Sequence, residues 1–309
     1  MAVIDGLPGV RVSIRLNGSE EDCPEHDDPN PPQTSASSGA ATHSIAKVIE
    51  SQDDANFSVH FEVKDARRWA KNKKGLKLSI HIDGKRFAAK VYRKSELQGQ
   101  VFRRHVEGVT YVSSNPRQFI LKPFMFTKIK QVDEGGARVV EDLKVVKHLG
   151  NIEVTICRVD NIRRKSVLKK SSNVTTKTEL AEKAMKGKNL SHGTSFSEGR
   201  NTPKTNPVKF TYPDGGVQLA RFNFRYMSKM ALQIEGIIPR DPSPESPPET
   251  QPRNAADLPM EEIQRLAQER LDQLLESKAG VKREADDDNE LRMPKVYKTT
   301  SDGAIDLTE

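Results

Sequence analysis

Hydrophobic and polar residues alternate along several short stretches of the chain, and this alternation is typical of half-buried β-strands. In the first stretch, Val10, Val12, Ile14 and Leu16 alternate with polar residues until an Asn-Gly pair at 17–18 ends the run. Comparable alternation recurs over residues 57–63, 76–82, 87–91, 101–112, 119–126, 152–159, 208–212 and 220–226. We therefore expect a mainly β chain.

Two turns between these stretches contain residues suited to hairpins. Asp83-Gly84 separates two of the stretches, and an Asp-Gly pair accommodates the positive φ angles of a type I′ turn. A Pro-Asp-Gly turn at 213–215 joins two more. Short strands linked by such turns predict an antiparallel β-sandwich within residues 1–239.

Three further stretches have helical spacing and end at a glycine that can take the left-handed C-cap conformation. They cover residues 139–149, 177–186 and 228–235, and they predict short peripheral helices. Two polar stretches contain too few apolar residues to pack, which predicts a disordered insert at about 19–42 and a basic loop at about 163–207.

The composition changes after residue 239. Residues 240–256 form a Pro-rich linker, residues 257–279 have the apolar stripe of an amphipathic helix, and residues 280–309 predict a disordered acidic tail. The stripe is consistent with docking on a partner helix, as in a coiled coil, although such stripes more often pack on the chain's own domain.

The net charge also changes sign at residue 239. Residues 240–309 hold 10 Lys and Arg against 17 Asp and Glu, a net charge of −7, whereas the whole chain carries +7. Residues 1–239 therefore carry +14. A basic body of this kind favours nucleic acid or another acidic partner.

The chain has no signal-peptide pattern and no apolar run of membrane-spanning length, so we expect a soluble protein that is neither secreted nor membrane-bound. Cys23 and Cys157 are the two cysteines, and they form neither a disulfide framework nor a metal motif. A reducing compartment fits both observations.

Four segments carry a resemblance to a known family: AVIDGLPGV at 2–10, HIDGK at 81–85, KGKNLSHGTS at 186–195, and FNFRY to IPR at 222–240. Over residues 1–239 the chain resembles a large family of uncharacterised fungal proteins, domain of unknown function 7918. The resemblance implies one domain and a fungal source. It implies no activity, ligand or catalytic residue.

The tail contains a segment that fits conjugation of a small ubiquitin-like modifier (SUMO). Val281-Lys282-Arg283-Glu284 places a lysine between a hydrophobic residue and a carboxylate, and three aspartates follow at 286–288. Those aspartates add charge complementarity to a basic surface. Chance explains so short a pattern about equally well.

A second segment of the tail resembles a SUMO-interacting strand. Ile305 and Leu307 would enter an apolar groove as the segment pairs with a sheet edge, while Asp306 faces basic residues. The alternative is an ordinary polar terminus. Ser243 and Ser246, each followed by proline, are candidate phosphorylation sites, although a stiff spacer explains the prolines equally well.

A basic patch of five residues falls in the predicted loop: Arg163, Arg164, Lys165, Lys169 and Lys170. It is consistent with a nuclear import signal or with phosphate contacts, and a solvated loop is the alternative. Together with the SUMO motifs it favours nuclear over cytoplasmic localisation.

Enzymatic chemistry finds no support in the sequence. His60 and His81 fall on polar strand faces and could form a cross-strand metal pair, but no third ligand has suitable spacing. We expect no catalytic residue, no cofactor and no evident small-molecule substrate.

Three hypotheses follow. The first is a non-enzymatic nuclear protein-interaction protein with a SUMO-regulated tail, its other protein partners unidentified. The second is a nucleic-acid or chromatin binder that uses the basic β domain. The third, and least supported, is a metal-dependent jelly-roll enzyme.

Overall fold

The structure is a computed structural model that divides into two units, Met1–Asp241 and Pro242–Glu309. It describes residues 2–33, 35–37, 39–65, 75–97, 99–113, 118–133, 135–165, 176–203, 207–241 and 260–279, the last with side chains to 274. The first unit is called the β domain below. No helix among the described residues is both long and apolar enough to cross a lipid bilayer.

Strands dominate the β domain. In chain order they are β1 (Ala2–Ile4), β2 (Leu7–Leu16), β3 (Glu25–Asp27), β4 (Ser44–Glu50), β5 (Asn56–Lys64), β6 (Gly75–Ile82), β7 (Lys85–Arg93), β8 (Val101–Val106), β9 (Gly108–Val112), β10 (Phe119–Lys128), β11 (Lys130–Val132), β12 (Asn151–Arg164), β13 (Glu179–Ala181), β14 (His192–Phe196), β15 (Arg200–Thr202), β16 (Val208–Thr211) and β17 (Gln218–Met227). The helices are α1 (Ala137–Val146), α2 (Glu182–Met185), α3 (Lys229–Ile234) and α4 (Met260–Ala279), of which α4 lies in the second unit.

Two large sheets form the domain. The first has the order β1-β2-β5-β10-β14, with β8 beside β5 and with β9 and β15 beside β10. The second has the order β3-β4-β17-β12-β6-β7, with β16 beside β12. The pairs within both sheets are antiparallel except β4 with β17, which is parallel. The prediction of a mainly β, antiparallel fold with short helices is confirmed.

Aromatic side chains from both sheets meet in one hydrophobic core. Phe57 and Phe126 of the first sheet stack with ring centroids 4.1 Å apart, and Phe126 lies 4.9 Å from Tyr226 of the second sheet. All three side chains are almost completely buried. Alternate residues of each strand supply this core, which leaves the intervening residues on the outer faces of the sandwich.

The predicted hairpin turn is confirmed in detail. Ile82 pairs with Lys85, so the loop contains two residues, Asp83 with φ 50° and Gly84 with φ 78°. Two consecutive positive φ angles are those that a type I′ turn requires.

The helix predicted over 177–186 is largely wrong. Its first part is the strand β13, which pairs in parallel with β11, and the helix α2 covers Glu182–Met185. Leu180 and Ala181 are fully buried in a small separate core beside α1, and this packing outweighs the local helical preference. The predicted loop over 163–207 also contains β14 and β15.

The predicted disordered insert over 19–42 differs from the structure as well. Residues 25–41, apart from 34 and 38, form a strap over the outer face of the second sheet. The strap begins as β3, which pairs with β4, and ends in a bridge between Ala41 and Gln218. Its order depends on polar contacts with residues more than a hundred positions away, such as the bonds from Ser35 to Glu153 and from Arg225 to Asp28. Local composition does not report such contacts.

Candidate functional site

Three neighbouring strands of the first sheet carry basic residues on their outer face. Arg11 and Arg15 lie on β2, His60 lies on β5, and Arg103 and His105 lie on β8. These five residues alternate with buried core residues, which directs their side chains away from the core. We call this set the basic face.

Strand register brings the five residues together. His60 pairs with His105 on one side and with Ser13 on the other, so one row of side chains crosses all three strands. In the neighbouring row, Glu62 lies between Arg11 and Arg103. The His60 and His105 rings stack, with centroids 5.2 Å apart and planes inclined by 19°.

Two carboxylates fix part of the basic face. Arg103 Nε donates a hydrogen bond to Glu62 Oε2 at 2.6 Å, and Arg15 Nη2 donates to Asp22 Oδ1 at 2.7 Å. The Arg103 side chain is nevertheless 70% exposed. These ion pairs position two arginines and leave other guanidinium N–H groups available to a ligand.

Arg11 differs from those two arginines. Its Nε atom is buried and has no hydrogen-bond partner among the described residues. A shallow cavity of about 190 Å³ lies beside it, lined by the basic face together with Ser13, Phe61, Glu62 and Arg104. Four arginines against the single carboxylate of Glu62 make the lining positive.

Burial lowers the pKa of His60, and Coulombic interactions with Arg15 and His105 act in the same direction. The His60 ring is therefore uncharged at neutral pH. Its Nε2 atom lies 3.0 Å from Ser58 Oγ. An uncharged imidazole held by a hydrogen bond and by stacking offers a flat surface for a second ring.

The residues of the basic face lie within a region that matches a known family model. The model of a family described as Domain of unknown function (DUF7918) matches residues 9–241, about three quarters of the chain. The chain belongs to this family. No curated protein and no solved structure gives a significant match. The matched DUF7918 region includes every residue of the basic face and confirms the resemblance found in the sequence.

The basic patch predicted from sequence lies elsewhere in the DUF7918 region. Arg163 and Arg164 end β12, where Arg163 pairs with Lys209 of β16. The backbone N–H of Lys165 donates to the Pro207 carbonyl at 2.9 Å. The other two members of the patch, Lys169 and Lys170, lie outside the described residues.

The candidate sites of the tail also lie outside the described residues. They are Ser243, Ser246, Lys282, Ile305, Asp306 and Leu307. All remain predictions.

The two histidines considered as a cross-strand metal pair do not face each other. His60 lies on β5 of the first sheet and His81 on β6 of the second, so that idea is wrong. In the part of the chain that the structure describes, no group of three or more His, Cys, Asp or Glu residues is arranged to hold a metal ion.

The basic face is not evident from the sequence alone. The alternation over 10–16 already puts Arg11 and Arg15 on the polar side of a strand. Residues 101–112 were also predicted as strand, which places Arg103 and His105 on alternate positions. The register that brings β8 beside β5 joins residues about 40 positions apart, and periodicity carries no information about such pairing.

Proposed function

We propose that the β domain binds single-stranded nucleic acid across the basic face. The observation that carries this proposal is the arrangement of Arg11, Arg15 and Arg103 around the stacked His60 and His105 rings on the outer face of one sheet. Binding, rather than catalysis, is the proposed role.

This combination suits an unpaired strand for two physical reasons. Arginine forks donate paired hydrogen bonds to phosphate oxygens, and bases of any sequence stack on flat ring systems, including imidazole. Other sheet-based single-strand binders likewise stack bases on ring systems of a sheet face. Positive charge supplies most of such affinity and makes it dependent on salt.

The first test measures binding of the full chain to a fluorescein-labelled oligonucleotide of about 12 nucleotides by anisotropy. We expect Arg11→Gln/Arg103→Gln to weaken binding by about tenfold or more. Because two phosphate contacts are lost, the plot of log affinity against log salt should become shallower by about 1.4. A thermal denaturation curve checks that the variant is folded.

The matched control changes two arginines on the other sheet, Arg163→Gln/Arg164→Gln. This control should retain wild-type affinity and salt slope. An equal loss in both variants would move the interface to the patch predicted from sequence. Absence of binding by the wild-type chain at low salt would refute nucleic-acid binding altogether.

The tail sequence favours a second, separate role in a nuclear protein-interaction network. The supporting observation is the presence of both a SUMO-acceptor pattern at Lys282 and a SUMO-interaction pattern at Ile305 and Leu307 within 30 residues of chain. Conjugation and recognition of one modifier then act on the same tail.

We expect Lys282→Arg to abolish the conjugated form of the full chain in a reaction reconstituted with the activating and conjugating enzymes. The substitution keeps the charge and removes the amine that forms the isopeptide bond. Lys298→Arg, in the same tail and outside any acceptor pattern, is the control and should conjugate normally. A conjugated band that persists in Lys282→Arg would disprove the acceptor assignment.

A further inference from the structure

The outer face of the second sheet contains an enclosed polar surface. Lys77, Ser79 and His81 of β6 point away from the core, because alternate residues of this strand point into it. An outward strand face is ordinarily in contact with water. Here the exposed fractions of these three residues are 7%, 2% and 9%.

The strap accounts for part of this burial. Glu153, which pairs with His81 across β12 and β6, accepts hydrogen bonds from Ser35 Oγ at 2.6 Å and from the backbone N–H groups of Ala36 and Ser37 at 3.1 and 2.9 Å. Both carboxylate oxygens of Glu153 are used in this way. These contacts hold the strap above the sheet.

A cavity of about 420 Å³ remains between the sheet, the strap and the turn that follows β16. Its volume lies within the range of small-molecule binding sites. The residues that matter for recognition are Lys77, Ser79, His81, Arg86, Thr155 and Cys157. Register places Ser79 beside Thr155 and Lys77 beside Cys157 on the floor of the cavity.

Two polar atoms in this lining have no bonding partner. Ser79 Oγ and His81 Nδ1 are buried, and neither forms a hydrogen bond with any described residue. His81 Nδ1 lies 3.7 Å from Glu153 Oε1, which is beyond hydrogen-bond distance. Buried polar groups are rarely left unsatisfied, because an unmade hydrogen bond leaves the desolvation of the group uncompensated. Both residues line the cavity, so a molecule bound there would be placed beside these two unpartnered groups.

The charge of the lining indicates which ligand. Lys77 Nζ is held by Tyr212 Oη at 2.6 Å and lies 5.2 Å from the centre of that ring. Arg86, opposite His81 in the register, lies on the exposed rim. Lys77 and Arg86 are the two cationic side chains of the lining, and no carboxylate of a described residue belongs to the lining.

We propose that this cavity binds a small polar molecule that carries a carboxylate or phosphate group. The oxyanion faces the Lys77 ammonium or the Arg86 guanidinium, and hydroxyl or carbonyl groups of the same molecule bond to Ser79 and His81. This site is separate from the proposed nucleic-acid interface, because it lies on the other sheet.

Cys157 provides a reporter inside the cavity. In the Cys23→Ser chain, the Cys157 thiolate can displace iodide from iodoacetate or iodoacetamide: a sulfur–carbon bond forms, the carbon–iodine bond breaks, and the thiol proton passes to solvent. The two reagents have nearly the same size, and one of them carries a carboxylate. Burial raises the pKa of Cys157, which slows both reactions equally and leaves their ratio unchanged.

We expect the ratio of iodoacetate to iodoacetamide rates, measured by mass spectrometry, to be about tenfold higher in the folded chain than in the same chain unfolded in urea. Lys77→Met should return the ratio towards the unfolded value. The control, Lys209→Met, makes the same change on an exposed residue of β16 and should leave the ratio high. Equal ratios in folded and unfolded chains would overturn the proposal.

A second experiment, with the variant Ser79→Ala, tests the proposal if Lys77→Met does not fold. Inorganic phosphate or succinate is added while iodoacetamide labels Cys157, and a bound anion should slow the labelling. Comparison of the two anions distinguishes a phosphate site from a carboxylate site. Ser79→Ala should weaken that protection by about tenfold without lowering the melting temperature of the ligand-free chain, because it removes an unsatisfied hydroxyl. Absence of protection by both anions, or protection unchanged in Ser79→Ala, would count against the site.

Discussion

Replacement of Asp83 by alanine is expected to lower the free energy of unfolding by about 3–5 kcal/mol. The Asp83 carboxylate accepts hydrogen bonds from the Gly150 N–H at 2.9 Å, the Thr194 N–H at 2.8 Å and the Tyr226 hydroxyl at 2.7 Å. It thereby ties the β6–β7 turn to β14, to β17 and to the residue before β12. Alanine would leave two backbone donors without a partner and would strain the positive φ of 50°.

Urea-induced unfolding followed by circular dichroism measures this loss. Asp83→Asn is the matched control, because asparagine tolerates the left-handed conformation and keeps one acceptor oxygen. Its loss should be clearly smaller than that of alanine. A cost below about 1 kcal/mol for Asp83→Ala would show that water replaces the carboxylate without penalty.

The same residue should make stability depend on pH. Burial raises the pKa of Asp83 to about 6, although the bonds from Tyr226, Thr194 and Gly150 oppose the shift. Between the unfolded value of 3.8 and about 6, the folded state therefore binds more protons than the unfolded state. The part of the stability that is linked to protonation of Asp83 is complete below pH 3.8 and is lost as the pH rises through 6, by about 3 kcal/mol in all. The hydrogen bonds that the carboxylate accepts remain above this interval. The difference between wild-type and Asp83→Asn stability should change over this interval.

Asp83 also illustrates how far the sequence predicts the fold. The alternation in β6 and β7 and the Asp-Gly pair predict the hairpin correctly, because both signals are local. The buried bonds that the Asp83 carboxylate makes are not local, since its partners lie 67 to 143 positions away. An aspartate whose hydrogen bonds were confined to its own turn would have the same local sequence, so the sequence does not distinguish the two cases.

Local sequence patterns are equally unable to predict the cavity on the outer face of the second sheet. Periodicity identifies Lys77, Ser79 and His81 as the polar side of a strand, and such a side is normally solvated. Their enclosure depends on the strap, whose composition predicts disorder. The sequence of β6 therefore predicts a solvated surface, and the sequence of the strap predicts disorder. The cavity between them becomes evident only in the folded structure, where the strap lies over the sheet.

Replacement of Arg225 by methionine is expected to release the strap from the second sheet. Arg225 donates from Nη2 to Asp28 Oδ1 at 2.7 Å and from Nη1 to Glu235 Oε2 at 2.8 Å, and the Asp28 side chain is fully buried. Methionine keeps much of the length and apolar stem but leaves the Asp28 carboxylate without its cation. Loss of one partner from a buried ion pair costs about 3–5 kcal/mol.

Because the strap covers the sheet through a few polar contacts, this cost should appear as local opening before the sandwich unfolds. Hydrogen exchange of the amides in residues 25–41 should accelerate by about a hundredfold or more, a factor that corresponds to about 3 kcal/mol. Lys47→Met is the control: it breaks another ion pair of the strap, to Asp27, whose side chain is 94% exposed. Exposed pairs contribute at most about 1 kcal/mol, so exchange should change less than about tenfold. Equal acceleration in both variants would mean that the strap is held by its backbone pairing with β4 and not by the buried charge of Asp28.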